Sequence, residues 1–296
     1  MNPCVPLMVV VMALFASGHG VAAPSGHFDA LYQNYRQGAE QGDAAAQNNL
    51  ALFHYNGEGV AQDLTEARRW FRKAAEQGNV TAQHNLGLML EQGQGGPQDS
   101  REAAHWLRQA AEQGYAKSPY HLGMIYKKGQ GVPQDFQEAI RWLRKAADLG
   151  DGEAKSNLGL MHEQGLGVPQ SFEEAIKWYR SAAEQGNAVG KNNLALLYKK
   201  GRGVLQDYKQ AEHWFRQAAE QGNVTAQYNL GMMFRQGQGV GLDNVEAHMW
   251  LNLAASQGDE NAIRERDGLV KRMSQAELAQ AQERARNFQP GTSTTF

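Results

Sequence analysis

Residues 198–222 read YKKGRGVLQDYKQAEHWFRQAAEQG, and this stretch decides the fold because its pattern returns every 36 residues. Tryptophan is the clearest marker of the period, since a rare residue does not fall on one lattice by chance. The chain has six tryptophans and all of them lie on the lattice, at Trp70, Trp106, Trp142, Trp178, Trp214 and Trp250. We therefore expect an array of six similar units, each of which is stable only when stacked on its neighbours.

Each unit has the pattern of two helices joined by a glycine-rich turn. In the second unit, apolar and small residues recur at helical spacing from Asn79 until the sequence GQG at positions 93–95, where a glycine can end a helix in the left-handed conformation. A second helix begins at Asp99, three residues before Glu102, a pairing typical of a capping box. The same start recurs at Asp63/Glu66, Asp135/Glu138, Ser171/Glu174, Asp207/Gln210 and Asp243/Glu246.

The tryptophan of each unit lies on the second helix, among small residues such as Ala103, Ala110 and Ala111 that let two helices approach closely. A tryptophan buries roughly 150–250 Å², which at about 25 cal/mol/Å² contributes several kcal/mol before entropy is counted. We therefore predict a structural role inside the stack for all six tryptophans.

The repeat pattern also defines the ends of the array. Residues 27–42 resemble a second helix alone, residues 43–258 hold the six repeats, and residues 259–288 predict two capping helices, one near 261–273 and one from Ser274. Residues 289–296 form a polar tail that we predict to be disordered. The predicted fold is all-α, a right-handed α-α superhelix with a C-terminal helical cap.

The N-terminal 23 residues differ in character from the repeats. They contain no Asp, Glu, Lys or Arg, and residues 5–16 (VPLMVVVMALFA) are nearly all apolar. The small residues that follow, with cleavage near Ala22-Ala23, are typical of a secretory signal peptide; the alternative is an uncleaved apolar anchor. We predict an exported protein, periplasmic or secreted from a bacterium, with no membrane insertion after cleavage.

Composition excludes several functional classes. With 29 Lys and Arg against 31 Asp and Glu, the net charge of -2 gives no reason to expect nucleic acid as a partner. The one cysteine, Cys4, falls in the predicted signal peptide, so the mature chain has no thiol for a disulfide, a nucleophile or a metal. No pair of histidines has the spacing of a zinc site, and we predict neither a metal nor a cofactor.

The repeat resembles the Sel-one-like repeat (SLR) family, relatives of the tetratricopeptide repeats. The resemblance rests on residues 201–204 (GRGV), Asp207, Trp214, residues 218–219 (AA) and Gly222, and it extends over about residues 43–258. Departures from the family pattern are local: Gly96, His54, His162, Gly190 and the pair Ser118-Pro119, which we expect to delay the start of its helix. The resemblance implies a non-enzymatic scaffold or adaptor that mediates protein-protein interaction.

Two periodic rows on the first helices are the candidate partner-binding residues. The asparagine row precedes the first-helix leucine and consists of Asn49, Asn85, His121, Asn157, Asn193 and Asn229. Its amides are suited to hydrogen-bond the backbone or a carboxylate of an extended peptide on the predicted concave face. In the alternative interpretation each amide ties its own repeat to the neighbouring loop.

The charged row lies six residues further along each first helix and consists of Tyr55, Glu91, Lys127, Glu163, Lys199 and Arg235. Its middle four members alternate in sign, which favours ion pairs between adjacent repeats, each worth about 0–1 kcal/mol when exposed. The alternative is a charged rim that recruits a partner, with Lys127 and Lys199 as its cations.

Two other functions remain alternatives to the binding scaffold. Some SLR proteins are linked to β-lactam binding or hydrolysis, but the Ser-x-x-Lys and Lys-Thr-Gly elements of that chemistry do not occur in this sequence. The first alternative is therefore a hydrolase acting on cell-wall or β-lactam compounds, for which no catalytic residue stands out. The second is a passive structural spacer in an envelope complex.

Overall fold

A computed structural model describes residues 25–289. The predicted signal peptide lies outside the described residues, and so does the predicted tail apart from Gln289. Between residues 25 and 289, no helix has both the length and the apolar character that crossing a bilayer requires.

The regular structure of residues 25–289 is helical throughout, in fifteen α-helices and without a strand, so the predicted all-α class is confirmed. The chain divides into two compact units at Ala146/Ala147, which lies within the seventh helix. Unit 1 contains α1 (Ser25–Glu40), α2 (Ala44–Asn56), α3 (Leu64–Glu76), α4 (Val80–Gln92), α5 (Ser100–Glu112), α6 (Ser118–Lys128) and most of α7 (Phe136–Asp148). Unit 2 contains α8 (Gly152–Gln164), α9 (Phe172–Glu184), α10 (Ala188–Lys200), α11 (Tyr208–Glu220), α12 (Val224–Gln236), α13 (Asn244–Ser256), α14 (Glu260–Val270) and α15 (Gln275–Asn287).

The second helices begin where the sequence predicts, but their capping is simpler than a capping box. The Asp99 side chain accepts a hydrogen bond from the Glu102 backbone amide at 2.9 Å, as an N-cap should. The Glu102 carboxylate does not return the bond to the cap; it accepts from the indole of Trp106 at 3.1 Å. A complete capping box is present instead at the start of α15, between Ser274 and Glu277.

The first helices begin at their own periodic cap. Six side chains accept from backbone amides of the first turn, those of Asp43, Asn79, Asp151, Asn187, Asn223 and Asp259. The third repeat has Tyr115 at this position, and its first helix starts late, at Ser118, with 11 residues where the other five have 13. Pro119 lies in its first turn, which confirms the predicted delay.

In the second, third, fifth and sixth repeats, the second glycine of the turn makes an inter-repeat contact that only glycine permits. Gly95 has φ +68°, and a Cβ built on it would lie 2.0 Å from the carbonyl oxygen of Leu64, at the start of the preceding second helix. In unit 2, a Cβ on Gly239 would lie 2.5 Å from the Cβ of Tyr208 in the equivalent place. The turn of one repeat therefore packs directly on the previous repeat.

The centre of each helix pair is filled by the residue after the tryptophan. Phe71, Leu107, Leu143, Tyr179, Phe215 and Leu251 are each 0% exposed. A small residue of the first helix makes room for this side chain: a Cβ on Gly87 would lie 2.7 Å from Leu107 Cγ, and one on Gly159 2.6 Å from the Tyr179 ring. The tryptophans lie further out, with Trp70, Trp142 and Trp250 buried and Trp106, Trp178 and Trp214 half-buried.

The C-terminal helices cover the last repeat within unit 2. Helix α15 packs on α13, the ring of Phe288 contacts that of Trp250 edge-on with centroids 5.4 Å apart, and Arg284 forms an ion pair with Glu246. Trp250 is consequently the most buried tryptophan of the described residues, at 1% exposed. The segment thus closes the apolar end of the array, as a cap must.

Candidate binding surface

The first helices of unit 2 carry a row of partly exposed apolar residues. There Leu160, Leu196 and Met232 occupy equivalent positions at intervals of 36 residues and are partly exposed. Of the equivalent residues in unit 1, Leu52 and Leu88 are only 5% and 8% exposed, and Met124 is partly exposed. We call the partly exposed residues of α8, α10 and α12 the first-helix face of unit 2, and it carries an apolar stripe.

The asparagine row runs beside this stripe, since each of its amides lies three residues before the apolar residue and hence on the same side of the helix. Asn157 Nδ2 donates to the carbonyl of Glu153 at 3.0 Å, and Asn229 Nδ2 donates to that of Thr225 at 2.9 Å. Both bonds stay within the residue's own helix and do not reach a neighbouring loop. They fix the orientation of each amide at the surface of unit 2.

The remaining members of the asparagine row have other surroundings. Asn193 Oδ1 accepts from Asn192 Nδ2 at 3.1 Å, and Asn49 Oδ1 accepts from Asn48 Nδ2 at 3.3 Å. Asn85 is 5% exposed, so it offers almost no surface to a partner. All three row members of unit 2 are therefore partly exposed beside a partly exposed apolar residue, an arrangement that His121 and Met124 repeat once in unit 1.

The charged row contacts the asparagine row of the next repeat. In unit 1, Glu91 and His121 lie 3.9 Å apart, from Oε2 to Nδ1. In unit 2, Arg235 forms an ion pair with Glu265 of α14, which occupies the position equivalent to the asparagine row. In both pairs a charged-row residue contacts the asparagine-row position of the next repeat, not the next member of the charged row.

The expected ion pair between Glu163 and Lys199 is absent. The Glu163 carboxylate instead accepts a hydrogen bond from the Tyr179 hydroxyl at 2.8 Å. Burial and the adjacent Lys200 lower the pKa of Lys199, and no carboxylate of residues 25–289 forms an ion pair with it. Lys199 is therefore a half-buried cation on the first-helix face without a countercharge.

A buried polar cluster joins the second and third repeats in unit 1, and the sequence patterns did not predict it. His84 is 4% exposed, and its Nδ1 lies 3.0 Å from the hydroxyl of Ser118. The rings of Tyr115 and His121 have centroids 4.6 and 5.7 Å from that of His84. Burial lowers the pKa of His84 to about 3, so the imidazole is neutral.

This cluster is structural. Ser118 is 0% exposed, so no substrate reaches its hydroxyl. Among residues 25–289 no three His, Cys, Asp or Glu side chains are grouped to hold a metal ion. The signal that marks the cluster in the sequence is the coincidence of three departures from the repeat pattern, at Tyr115, Ser118 and Pro119.

Six segments of the chain match the family model of the Sel1 repeat, at residues 44–79, 80–115, 117–151, 152–187, 188–223 and 224–259. The chain belongs to the Sel1 repeat family, the SLR family that its motifs resemble. Proteins of this family are generally helical-repeat scaffolds for protein-protein interaction. No curated protein is significantly similar to the chain.

Two solved structures show the same architecture. The fold is similar to that of a protective antigen present in uropathogenic Escherichia coli strains, which displays an SLR fold, with a TM-score of 0.79 and 37% identity. That match covers 87% of this chain and 55% of the antigen, so this chain spans about half of its length. A Sel1 repeat protein from Oxalobacter formigenes has a TM-score of 0.68 and 34% identity, over 79% of this chain and 97% of that one. The predicted repeat array is thereby confirmed, and its right-handed sense stays a prediction.

Proposed function

We propose that this protein is an exported, non-enzymatic scaffold of the bacterial cell envelope or cell exterior that binds an extended segment of a partner protein. The binding surface is the first-helix face of unit 2. The observation that carries the proposal is the repetition of one amide and one partly exposed apolar residue in three successive repeats, Asn157/Leu160, Asn193/Leu196 and Asn229/Met232.

The dimensions of such a surface suit an extended peptide. Packed helices lie about 8–10 Å apart, and an extended chain advances about 3.3 Å per residue. One repeat therefore corresponds to about three peptide residues. At each repeat, an apolar side chain of the partner can contact the stripe, and this contact supplies affinity. The backbone groups of the partner can bond to the amides, and these bonds fix the register of the bound segment.

The affinity of selected peptides tests this assignment. Twelve-residue peptides are selected by phage display on the full-length mature protein, and their dissociation constants are measured by fluorescence anisotropy. The double variant Asn193→Ala/Asn229→Ala is expected to bind at least tenfold more weakly, since each lost hydrogen bond costs about 1 kcal/mol.

The matched control lies on the second helix α11, where His213 and Gln217 contact each other at the surface at 2.8 Å. The variant His213→Ala/Gln217→Ala is expected to bind like the wild type. Loss of binding in this control with retention in the asparagine variant contradicts the proposed face.

Export is tested separately by fractionating cells that produce the full chain with a C-terminal tag. We expect the mature protein outside the cytoplasm, with an N-terminus near Ala23 or Pro24. An intact Met1 in the soluble cytoplasmic fraction contradicts export but leaves the binding surface untouched.

A further inference from the structure

The contacts between successive first helices of unit 2 follow one register. A residue of the charged row faces the position of the asparagine row in the next first helix. Arg235 meets Glu265 directly at this position. Glu163 accepts a hydrogen bond from the Tyr179 hydroxyl at 2.8 Å, and Asn193 lies close enough to that hydroxyl to influence its pKa.

Lys199 is the third charged-row member of unit 2, and by the same register it faces Asn229. Here the cation has an amide opposite it and no carboxylate. The first helices α10 and α12 contain no Asp or Glu at all, whereas α10 carries three lysines, at 191, 199 and 200. Of these, Lys191 has a carboxylate acting on it, that of Glu220.

A half-buried ammonium without a countercharge is costly, because partial desolvation of the cation is not offset by any acid of the protein. The exposed Lys200 adds to the local positive potential. The internal precedent for what fits this position is Glu265, a carboxylate at the equivalent site against Arg235. The uncompensated positive charge of Lys199 therefore has the sign and the position to bind an external carboxylate.

We infer that Lys199 and Asn229 receive the carboxylate of an Asp or Glu side chain from the bound segment. This inference rests on the proposed function and names the partner: an extended acidic segment. Leu196, one turn before Lys199, and Met232, one turn after Asn229, are partly exposed on either side of this position. The segment therefore carries apolar residues within about three positions of its acidic residue.

A double-mutant cycle between protein and peptide tests the pairing. Peptides selected on the full-length mature protein are synthesised with each acidic residue in turn replaced by its amide. Against wild-type protein, one such replacement is expected to weaken binding roughly tenfold or more, as for a charge-assisted hydrogen bond. Against Lys199→Gln the same replacement is expected to change binding less than twofold.

Three controls make the result specific. Lys199→Arg preserves the charge and is expected to retain the preference for the acid, and Lys209→Gln removes an exposed lysine of α11 and should leave it intact. Amidation of the peptide C-terminus is expected to have no effect, because the inference assigns a side-chain carboxylate.

The outcomes separate the two levels of the proposal. Equal losses on wild type and Lys199→Gln, or a requirement for the free C-terminus, overturn the inference while the proposed binding face stands. The inference is also overturned, and the binding face also stands, if the selected peptides lack acidic residues but bind more weakly to Asn193→Ala/Asn229→Ala. Selected peptides that bind Asn193→Ala/Asn229→Ala as tightly as the wild type contradict the proposed function itself.

Discussion

The indole Nε1–H of Trp142 donates to a carboxylate oxygen of Glu138, one turn earlier on the same helix, at 3.1 Å. The cations of Arg141 and Lys145 lie 4.7 and 5.3 Å from the centre of the same indole. The glutamate at the third position of the second helix therefore orients the tryptophan and does not complete a capping box. This bond ties two of the most regular positions of the repeat to each other.

Substitutions at Glu138 and Trp142 are expected to differ in cost. Glu138→Ala removes an acceptor from a buried indole and is expected to lower the free energy of unfolding by about 1 kcal/mol. Trp142→Ala is expected to lower it by about 3–5 kcal/mol, because it leaves a cavity among the helices. Urea denaturation followed by circular dichroism measures both, and equal costs for the two variants contradict this hierarchy.

Two glycine variants test the packing of the turn on the preceding repeat. Gly95→Ala places a Cβ against the Leu64 carbonyl, and we expect it to destabilise the protein by about 4 kcal/mol through backbone strain and overlap. Gly78 also has a positive φ, of +86°, but a Cβ there meets nothing within 4 Å.

Gly78→Ala is therefore the matched control, with an expected cost of about 1–2 kcal/mol from the left-handed conformation alone. Thermal unfolding of both proteins in one buffer gives the comparison. If the two variants melt together, the turn does not press on the previous repeat as described.

His84 makes stability depend on pH in the acidic range. Its pKa falls from 6.5 to about 3 on folding, so the unfolded chain binds the proton first as the pH is lowered. The stabilising contribution is fully present above pH 6.5 and is lost progressively between pH 6.5 and 3. Between pH 6.5 and 4.5 the expected loss from this residue is about 2 kcal/mol.

His84→Asn is the variant that isolates this effect, because Asn48 and Asn192 occupy the same position in two other repeats. Urea titrations of both proteins at several pH values give the difference in unfolding free energy. That difference is expected to shift by about 2 kcal/mol in favour of the variant between pH 6.5 and 4.5. Parallel pH profiles for the two proteins mean that His84 is accessible to protons in the folded state.

The sixth repeat lacks a hydrogen bond that the five others have. Gln62, Gln98, Gln134, Gln170 and Gln206 each donate to the carbonyl of the charged-row residue of their own repeat at 2.7–2.9 Å. The sixth repeat has Leu242 in this place, and its side chain is 68% exposed.

Leu242→Gln is expected to stabilise the protein by about 0.5–1.5 kcal/mol, because it restores the bond and removes an exposed apolar group. The reciprocal change Gln170→Leu is expected to destabilise it by a similar amount. Midpoints of chemical denaturation measure both shifts, and a destabilised Leu242→Gln protein contradicts the role given to this glutamine.

The periodic residues predicted the helices well because local physics sets them. Asp99 caps the start of α5, and Gly93 ends α4 at φ +67°. Both residues act through bonds or backbone angles of their immediate neighbours along the chain. The late start of α6 followed from Pro119 in the same way. These features depend on a few neighbours along the chain, so a single sequence is sufficient to predict them.

Side-chain pairing across repeats was predicted less well, since it depends on the register between helices. The alternation of Glu163 and Lys199 suggested an ion pair, yet Glu163 bonds to Tyr179. Likewise the tryptophan period marks the core only approximately, because Leu143 rather than Trp142 fills its centre. In every repeat a large apolar or aromatic residue follows the tryptophan. This regularity was the sequence signal that could have identified the centre of the core.

The central claim, that the first-helix face of unit 2 is the binding surface, is tested most directly by hydroxyl-radical footprinting with a selected peptide. Met232 and Leu196 are oxidisable and partly exposed on this face, and His213 lies on α11 and is exposed. We predict that saturating peptide lowers the oxidation of Met232 and Leu196 severalfold and leaves that of His213 unchanged. Unchanged oxidation of Met232 and Leu196, with protection confined to His213 or to the capping helices α14 and α15, contradicts the account.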